Sequence, residues 1–477
     1  MSTPSPRSAS SHVVVIGGGP GGYEAALVAR SLGARVTVVE RQGLGGAAVL
    51  TDVVPSKTLI ATAEWMTIAE RAPDLGIRTS DGTSVHGLGV DLQAVNKRVL
   101  ALAEAQSADI RGRLEREGIE VVNGTGRLDG PSRVVVDAPG SPDDDGRVLE
   151  TDTILLATGA TPRTLPTAQP DGERILTWTQ LYSLTELPEK LIVVGSGVTG
   201  AEFAGAYNAL GADVVLVSSR DRVLPGEDED AAELIEGVFR SRGMTVLSRT
   251  RAESAVRTAD GVAVTLSDGR VIEGSHVLMA VGGVPNTEGM GLEKAGVVLD
   301  DRGYIEVDKV SRTSVRGIYA AGDCTGVFPL ASVAAMQGRI AMHHALGDAV
   351  VPLRLGAVAS NIFTAPEIAT VGYSEEALKG QNSRYITTTL PLARNPRAKM
   401  TGVRDGFVKL FAHPEAGVVL GGVVVAPRAS EYIFPITLAV RNHLTVDDVA
   451  ATFTIYPSLS GTTAEAARVL DARVQER

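Results

Sequence analysis

Two glycine clusters in this chain have the spacing of turns that bind a dinucleotide. The first consists of Gly17, Gly19 and Gly22, which follow the apolar run HVVVI and open a helical pattern. In such a turn the first glycine makes the tight bend, the second lets the backbone approach a pyrophosphate, and the third lets the helix pack closely on the strand. Since free N–H groups at a helix N-terminus bind phosphate, the cluster predicts a strand–helix–strand unit that holds a dinucleotide.

The second glycine cluster repeats this pattern later in the chain. Gly195, Gly197 and Gly200 lie between the apolar runs KLIVV and ADVVLV, within residues 190–219. A repeat this complete argues against chance glycine punctuation. It predicts a second dinucleotide site, and the alternative is that one of the two sites is a relic.

The residues that end the two second strands indicate different cofactors. Glu40 ends the first one, and a carboxylate there accepts hydrogen bonds from the hydroxyls of a ribose. Ser218, Ser219 and Arg220 end the other, where hydroxyls and a guanidinium favour a 2′-phosphate. The sequence therefore predicts FAD at the first site and favours NADPH over NADH at the second. The alternative is that Arg220 and the nearby Arg222 form an ordinary solvated loop.

Alternating strands and helices must position these sites. Apolar runs that end in glycine turns predict buried strands within 153–163 and 317–326, and the pattern from Leu92 to Glu117 predicts a long helix ended by Gly118. Nearer the C-terminus, the runs GFVKLFA and GVVLGGVVVAP predict antiparallel strands followed by helices. The chain is therefore predicted to be α/β with a separate third domain.

Composition narrows the class of protein. The chain has 477 residues, a net charge of −11 and one cysteine, and no apolar run approaches the ~18 residues of a spanning helix. We expect several domains, no integral membrane segment and no nucleic-acid partner. Residues 1–11 form a Ser/Pro tail unlike a signal peptide, so we expect a cytoplasmic location. His343 and His344 are adjacent and point about 100° apart on a helix, and no metal site is expected.

Beyond residue 11 the chain resembles the pyridine nucleotide-disulfide oxidoreductases, the family of dihydrolipoamide dehydrogenase and glutathione reductase. The segments that carry the resemblance are the first glycine turn, GGAAVLTDVVPSK, ATGATPR, the second glycine turn, YAAGDCTG, ASVAAMQGRIA and IYPSLSGTTAEA. The resemblance implies a homodimer with two Rossmann-like dinucleotide-binding domains and a C-terminal α+β dimerisation domain. The implied boundaries are 12–160 with 287–355 for FAD, 161–286 for NAD(P) and 356–477 for dimerisation, after a disordered tail at 1–11.

The same resemblance assigns roles to single residues. It implies that Asp323 holds the ribityl chain of the flavin and that Val198 gates the entry of nicotinamide. It also implies that Lys57 lies near flavin N5 and pairs with Glu202 beside the nicotinamide. Further contacts are implied to FAD from Gly46, Thr158, Gly159 and Ala331, and to NAD(P)H from Gly282.

The chain departs from the family where the family does disulfide chemistry. Aligned on the segment PSK, Ala48 and Val53 stand where the family has the two cysteines of its redox disulfide. Tyr456 stands where the family has a histidine base, and Gly461 where it has the glutamate that orients this base. Because Cys324 is the sole cysteine, an internal dithiol is excluded, and we expect Cys324 to be a small core residue.

The remaining chemistry is hydride transfer from NAD(P)H to the flavin. Because Ala48 and Val53 make the acceptor face apolar, we expect two-electron reduction of a flat apolar acceptor such as a quinone. Within the family, the chain is similar to a cysteine-less branch that resembles actinobacterial NAD(P)H:quinone reductases. Tyr456, implied to come from the second subunit, either gives the quinone a hydrogen bond or a proton, or only fills space.

Two other functions stay open at this point. A soluble pyridine nucleotide transhydrogenase needs only one nucleotide site used twice, but that branch keeps the C-terminal histidine and glutamate. A non-catalytic, nucleotide-binding redox sensor accounts for the lost thiols and base. It leaves Lys57, Glu202 and two intact glycine turns without a purpose.

Overall fold

A computed structural model describes residues 11–84, 87–137 and 146–476. Apart from Ser11, the tail expected to be disordered lies outside these residues. The described chain divides into two compact units. The first is drawn from the ranges Met1–Thr58, Asn96–Arg163 and Gly282–Leu353, and the second from Leu59–Val95, Thr164–Val281 and Arg354–Arg477.

The first unit is built on a five-stranded parallel sheet. Alternate residues of its central strand enter different apolar cores, Val13 and Val15 on one face and Val14 and Ile16 on the other. Because both faces are buried, the strand is apolar throughout, which is the pattern that predicted it. The strand order is Ile318–Ala320, Thr153–Leu156, His12–Ile16, Arg35–Glu40 and Glu120–Asn123.

Two helices of this unit, Pro20–Ser31 and Ala331–Ala345, pack closely against each other. They approach closely because Gly338 has no side chain: a Cβ there would lie 2.1 Å from the carbonyl oxygen of Gly21. A three-stranded antiparallel sheet and a two-stranded ribbon complete the unit. Their strands are Thr125–Leu128, Arg133–Asp137 and Arg147–Glu150, and Ala160–Pro162 with Gly283–Pro285.

The second unit contains a second five-stranded parallel sheet. Its central strand shares an apolar core with a three-stranded antiparallel sheet, through Ile192 and Val194 on one side and Val262 and Val264 on the other. The parallel strands are Thr245–Leu247, Asp213–Val217, Lys190–Val194, His276–Met279 and Ile175–Thr177. The antiparallel strands are Ala252–Arg257, Val262–Leu266 and Val271–Gly274, and the main helices are Val198–Leu210 and Glu229–Ser241.

A five-stranded antiparallel sheet forms the C-terminal part of the second unit. Its core joins Leu410 and Val424 of the strands to Ile436 and Leu470 of the helices. The strand order is Ser360–Ile362, Glu367–Gly372, Val419–Ala426, Phe407–Ala412 and Ile386–Pro391. The helices of this part are Glu375–Gly380, Pro396–Met400, Ala429–Tyr432, Phe434–Asn442, Val446–Ala451 and Gly461–Gln475.

These elements confirm the predicted class of two Rossmann-like α/β parts and a C-terminal α+β part. The long helix is observed at Leu92–Arg116, and Gly118 follows it with a left-handed φ of 72°. The remaining helices span Gly46–Leu50, Val53–Ala69 and Leu292–Ala295. Within the described ranges, no helix combines the length and apolar character needed to cross a membrane.

Candidate functional site

The first glycine turn has a geometry that only glycine permits. Gly17 has a φ of 101°, and a Cβ there would lie 2.2 Å from the Ala157 carbonyl oxygen. A Cβ at Gly22 would lie 1.9 Å from the Gly17 carbonyl oxygen. Gly19 faces open space, and no side chain caps the helix that begins after it. The N–H groups at this helix end can therefore hold a pyrophosphate.

The second glycine turn repeats this geometry in the second unit. A Cβ at Gly195 would lie 2.2 Å from the Ala280 carbonyl oxygen, and a Cβ at Gly200 would lie 1.8 Å from the Gly195 carbonyl oxygen. Gly197 again faces open space, and no side chain caps the following helix. The chain therefore contains two turns built to the same plan.

Glu40 ties the end of its strand to the first turn. It is 8% exposed, and its Oε2 accepts a hydrogen bond from the backbone N–H of Gly18 at 2.7 Å. Its Oε1 accepts from the N–H groups of Gln42 at 2.7 Å and Gly43 at 3.2 Å. The next segment returns to the same turn, since a Cβ at Gly46 would lie 2.9 Å from the Cα of Gly19.

Ser218 takes the corresponding position in the second turn. Its Oγ lies 2.7 Å from the Oγ of Ser196, and the two residues are 22 positions apart, as Gly18 and Glu40 are. Ser218 is fully buried, and its hydroxyl also accepts the N–H of Arg220 at 3.1 Å. Ser218 therefore supports the loop from inside. Ser219 and Arg220 are exposed at the strand end, which carries no carboxylate in place of Glu40.

The two arginines of this loop differ in their contacts. Nη1 of Arg222 lies 2.6 Å from Oε1 of Glu229, so this guanidinium is tied to the neighbouring helix. Within the described part of the chain, the side chain of Arg220 has no ion pair. Arg220 is therefore the arginine that is available to an anionic ligand.

Glu202 is held inside the second unit. It lies on the helix Val198–Leu210 with 4% of its surface exposed. Its Oε1 accepts a hydrogen bond from the backbone N–H of Phe363 at 2.9 Å. Val198, the first residue of the same helix, is 44% exposed at the mouth of the turn. The structure thus places both predicted residues on the helix that starts at the second turn.

Lys57 lies on the helix Val53–Ala69, which follows the first turn in the sequence. Lys57 and Val53 are four residues apart on this helix, so they share one face. Val53 is 36% exposed, whereas Lys57 and Ala48 are partly buried. The pairing of Lys57 with Glu202 stays a prediction.

Thr158 and Gly159 form a turn that Asn286 closes. The hydroxyl of Thr158 donates to the Asn286 carbonyl oxygen, and the Asn286 amide donates back to the Thr158 carbonyl oxygen, both at 2.8 Å. The backbone N–H of Asn286 donates to the Gly159 carbonyl oxygen at 3.0 Å. Gly282, predicted to contact NAD(P)H, lies at the base of the ribbon that ends at Asn286 and belongs to the first unit.

Asp323 lies just after the strand Ile318–Ala320, in a turn that Gln337 holds by hydrogen bonds. Oε1 of the buried Gln337 accepts the N–H of Gly322 at 2.8 Å, and its Nε2 donates to Thr325 Oγ1 at 3.3 Å. Burial raises the pKa of Asp323 above its ordinary value. Ala331 begins the helix that carries Gln337, and no side chain caps this helix.

Cys324 is a core residue, as predicted. It is 0% exposed, and its Sγ lies 3.4 Å from the Ala321 carbonyl oxygen. Burial raises the pKa of its thiol. A buried protonated thiol is a poor nucleophile, so Cys324 takes no part in disulfide chemistry.

The sequence profile of one family covers both turns and the segments between them. The profile described as Pyridine nucleotide-disulphide oxidoreductase matches residues 11–338, and the profile of this family's dimerisation domain matches residues 358–467. The chain belongs to the pyridine nucleotide-disulphide oxidoreductase family. This confirms the family resemblance that the sequence motifs indicated.

Relatives within this family cover nearly the whole chain. An NAD(P)H dehydrogenase (quinone) of Mycobacterium tuberculosis is 53% identical over 467 residues, which are 96% of this chain and 94% of the relative. A dihydrolipoyl dehydrogenase of Chlamydia pneumoniae is 35% identical over 454 residues, or 95% of each protein. The crystal structure of LpdA from Mycobacterium tuberculosis has a TM-score of 0.91 at 52% identity, over 96% of this chain and 99% of that one.

A more distant structure shows the same fold. The HOCl-induced flavoprotein disulfide reductase RclA from Escherichia coli has a TM-score of 0.84 at 23% identity. As a pyridine nucleotide-disulphide oxidoreductase, the chain is a flavoprotein enzyme of a family that binds FAD and uses NAD(P)H. The two uncapped helix ends at Gly19 and Gly197 fit two such dinucleotides.

The C-terminal match to a dimerisation domain supports a homodimer of this family. The segment between the helices Val446–Ala451 and Gly461–Gln475 exposes large side chains in the single chain. Phe453 is 101% exposed, Ile455 81% and Tyr456 82%. Large exposed apolar groups mark an interaction surface, and a second subunit would cover them.

Four residues near the predicted sites were not identified from the sequence. Asn286, Gln337, Ser196 and Phe363 act through amides, a hydroxyl or a backbone N–H. Gln337 lies in the segment ASVAAMQGRIA that carried the family resemblance, and Ser196 lies inside the second turn. Those two could have been found from their place in a motif. Asn286 and Phe363 bond to partners far along the chain and could not.

Proposed function

We propose that this oxidoreductase is an NAD(P)H:quinone reductase. When bound, the cofactors would supply hydride transfer from NAD(P)H to flavin N5 and two-electron reduction of the quinone, so that NAD(P)H, one solvent proton and a quinone would yield NAD(P)⁺ and a hydroquinone. The observation that carries the proposal is the pair Ala48 and Val53, which stand at the positions where the family resemblance implies the two cysteines of a redox disulfide. With neither side chain able to store electrons, the reduced enzyme needs an external acceptor.

The chain's own residues bind and orient the reactants. Glu202, held by the Phe363 N–H, supports the nicotinamide position, and Lys57 supports the flavin. Ser219 and Arg220 face the ribose end of the nucleotide, where a guanidinium binds a 2′-phosphate. This arrangement favours NADPH over NADH. A relative at 53% identity carries the name NAD(P)H dehydrogenase (quinone), which supports the same reaction.

The side of the flavin site at which the quinone is reduced is apolar. Ala48 and Val53 offer a flat quinone dispersion contacts and no hydrogen bond, so they leave its carbonyl oxygens to other donors. Tyr456, supplied by the second subunit of the homodimer, gives one carbonyl oxygen a hydrogen bond. Its 82% exposure in the single chain leaves the hydroxyl free to enter a neighbouring site. The cytoplasmic location stays an expectation from the sequence.

Anaerobic stopped-flow spectroscopy of the FAD-loaded protein tests this function. NADPH is expected to bleach the flavin, and a naphthoquinone added afterwards is expected to restore the yellow colour faster than dioxygen does. Treatment with iodoacetamide serves as a control and should leave both steps unchanged, because Cys324 is buried.

Three outcomes would contradict the proposal. If bleached enzyme is reoxidised by an NAD⁺ analogue but not by quinones, the protein is a transhydrogenase. If NADPH and NADH do not bleach the flavin, the protein is a nucleotide-binding sensor. If iodoacetamide abolishes quinone reduction, a thiol takes part after all.

A further inference from the structure

Lys409 is a buried charge in the second unit that the proposed reaction does not use. It lies on the strand Phe407–Ala412, and 4% of its side chain is exposed. Its Nζ lies 2.9 Å from Oδ2 of Asp228, 2.9 Å from Oδ2 of Asp230 and 2.7 Å from Oε2 of Glu375. Burial disfavours the ammonium ion, but the three carboxylates outweigh burial and raise the pKa of Lys409.

Asp228 links this ammonium to a helix of the nucleotide-binding part. Its side chain is 3% exposed. Its Oδ1 accepts the N–H of Ala231 at 3.3 Å and so caps the helix Glu229–Ser241, while its Oδ2 faces Lys409. One carboxylate therefore anchors the helix N-terminus to the antiparallel sheet.

The same helix holds the loop that follows the strand Asp213–Val217. Its Glu229 is paired with Arg222 of the loop at 2.6 Å. Two turns further along the helix, Oε2 of Glu236 accepts the backbone N–H of Val223 at 3.0 Å. Moving the helix must therefore move the loop that carries Arg220.

The loop in turn contacts the second glycine turn. The backbone N–H of Leu224 donates to the Ser196 carbonyl oxygen at 2.8 Å, and Leu224 has a left-handed φ of 52° that places it there. The hydroxyls of Ser218 and Ser196 lie 2.7 Å apart. Polar contacts joined by the helix Glu229–Ser241 and by the loop backbone thus connect Lys409 to the second glycine turn.

We propose that Lys409 is a positioning residue for NAD(P)H, which fixes the helix Glu229–Ser241 and through it the ribose loop and the second glycine turn. The inference rests on the proposed function in one respect, since it takes the second turn as the NAD(P)H site. Loss of Lys409 leaves the buried carboxylate of Asp228 without its cation and close to those of Asp230 and Glu375, and their repulsion displaces the helix end. Affinity for the nucleotide falls, while the groups that react keep their identity.

Isothermal titration calorimetry of the FAD-loaded protein with NADP⁺ tests this role without relying on turnover. Lys409→Met is expected to raise the Kd of NADP⁺ about five- to twentyfold. Lys379→Met is the matched control: Lys379 lies 3.3 Å from the same Glu375 but is 62% exposed. The control is expected to keep the wild-type Kd, because exposed ion pairs contribute little. In stopped-flow bleaching by NADPH, the limiting rate of Lys409→Met should equal that of the wild type.

A second variant tests the route of the effect. Glu236→Ala removes the acceptor of the Val223 N–H and leaves the Lys409 cluster intact, and it should also raise the Kd. The double variant should raise the Kd by less than the product of the two single effects, because both act on one loop. A folded Lys409→Met with the wild-type Kd, or Glu236→Ala with the wild-type Kd, would overturn the inference. If the wild type binds NADP⁺ but NADPH does not bleach its flavin, the proposed function fails and the positioning role is still decided by the titrations.

Discussion

The backbone N–H of Phe363 donates a hydrogen bond to Oε1 of Glu202 at 2.9 Å, across 161 positions of the sequence. Because Glu202 is 4% exposed, this bond fixes the orientation of its carboxylate. The donor belongs to the main chain, so a substitution of the Phe363 side chain does not remove it. The residue predicted to act beside the nicotinamide is therefore held by the C-terminal part of the same unit.

Glu202→Gln should slow hydride transfer and spare the second half-reaction. The amide keeps the shape of the carboxylate and still accepts the Phe363 N–H, but it removes the negative charge proposed to act with Lys57. The limiting rate of flavin bleaching by NADPH should fall roughly 100-fold, while a naphthoquinone should reoxidise the reduced variant at the wild-type rate. Equal bleaching rates in the two proteins would remove Glu202 from the catalytic residues.

Arg220→Ala should change the choice of nucleotide. Loss of the guanidinium removes a charge-assisted hydrogen bond to a 2′-phosphate, which corresponds to about a tenfold rise or more in the KM for NADPH. NADH lacks this phosphate, so its KM in the same variant is the internal control and should change little. An equal rise in the KM for NADPH and for NADH would mean that Arg220 supports the loop and does not recognise the phosphate.

Tyr207→Phe should stabilise the protein. Tyr207 is 0% exposed, and its hydroxyl has no hydrogen-bond partner in the described part of the chain. Removing an unsatisfied buried hydroxyl should gain about 1 kcal/mol in the free energy of unfolding, or roughly 2 °C in Tm. Tyr319→Phe is the matched control and should lose a similar amount, because the Tyr319 hydroxyl lies 2.8 Å from Nδ1 of His344. A lower Tm for Tyr207→Phe would reveal a partner for its hydroxyl.

His276 should make the protein sensitive to acid. Burial, helped by the nearby Arg174, lowers the pKa of His276 from 6.5 to about 4. Between these values the unfolded chain binds a proton that the folded chain does not, so stability present above pH 6.5 is lost as the pH falls toward 4. Urea unfolding at pH 7.5 and pH 5 should show a smaller loss for His276→Gln than for the wild type, by about 1 kcal/mol. An equal loss in both proteins would assign the acid sensitivity to other groups, such as the buried His12.

The sequence identified the features that depend on residues close together in the chain. It could not identify contacts between residues that are far apart in the chain. The two glycine turns were predictable because a Cβ at Gly22 or at Gly200 would meet the carbonyl oxygen of the glycine five positions earlier, Gly17 or Gly195, so that the spacing itself requires glycine. The contact of Lys409 with Asp228 joins residues 181 positions apart, and no period or motif marks it.

The sequence also could not predict the different contacts of two neighbouring side chains, those of Arg220 and Arg222. The sequence predicts Arg220 at the nucleotide and leaves open whether Arg222 is part of a solvated loop, and the structure shows that Arg222 is paired with Glu229. Ser218 was predicted at the nucleotide, and its complete burial gives it a supporting place in the loop. Residue type and spacing identified the loop, whereas the direction of each side chain depended on the packed structure.

The burial of Cys324 leaves the folded protein without an accessible sulfhydryl. An enzyme that stores electrons in a dithiol loses activity when peroxides or hypohalous acids oxidise its thiolates or when heavy-metal ions bind them. In the proposed reaction the bound cofactors carry all of the electrons. For the proposed quinone reductase this means that thiol oxidants find no accessible thiol in the catalytic cycle, so the oxidation of NAD(P)H is expected to continue in their presence.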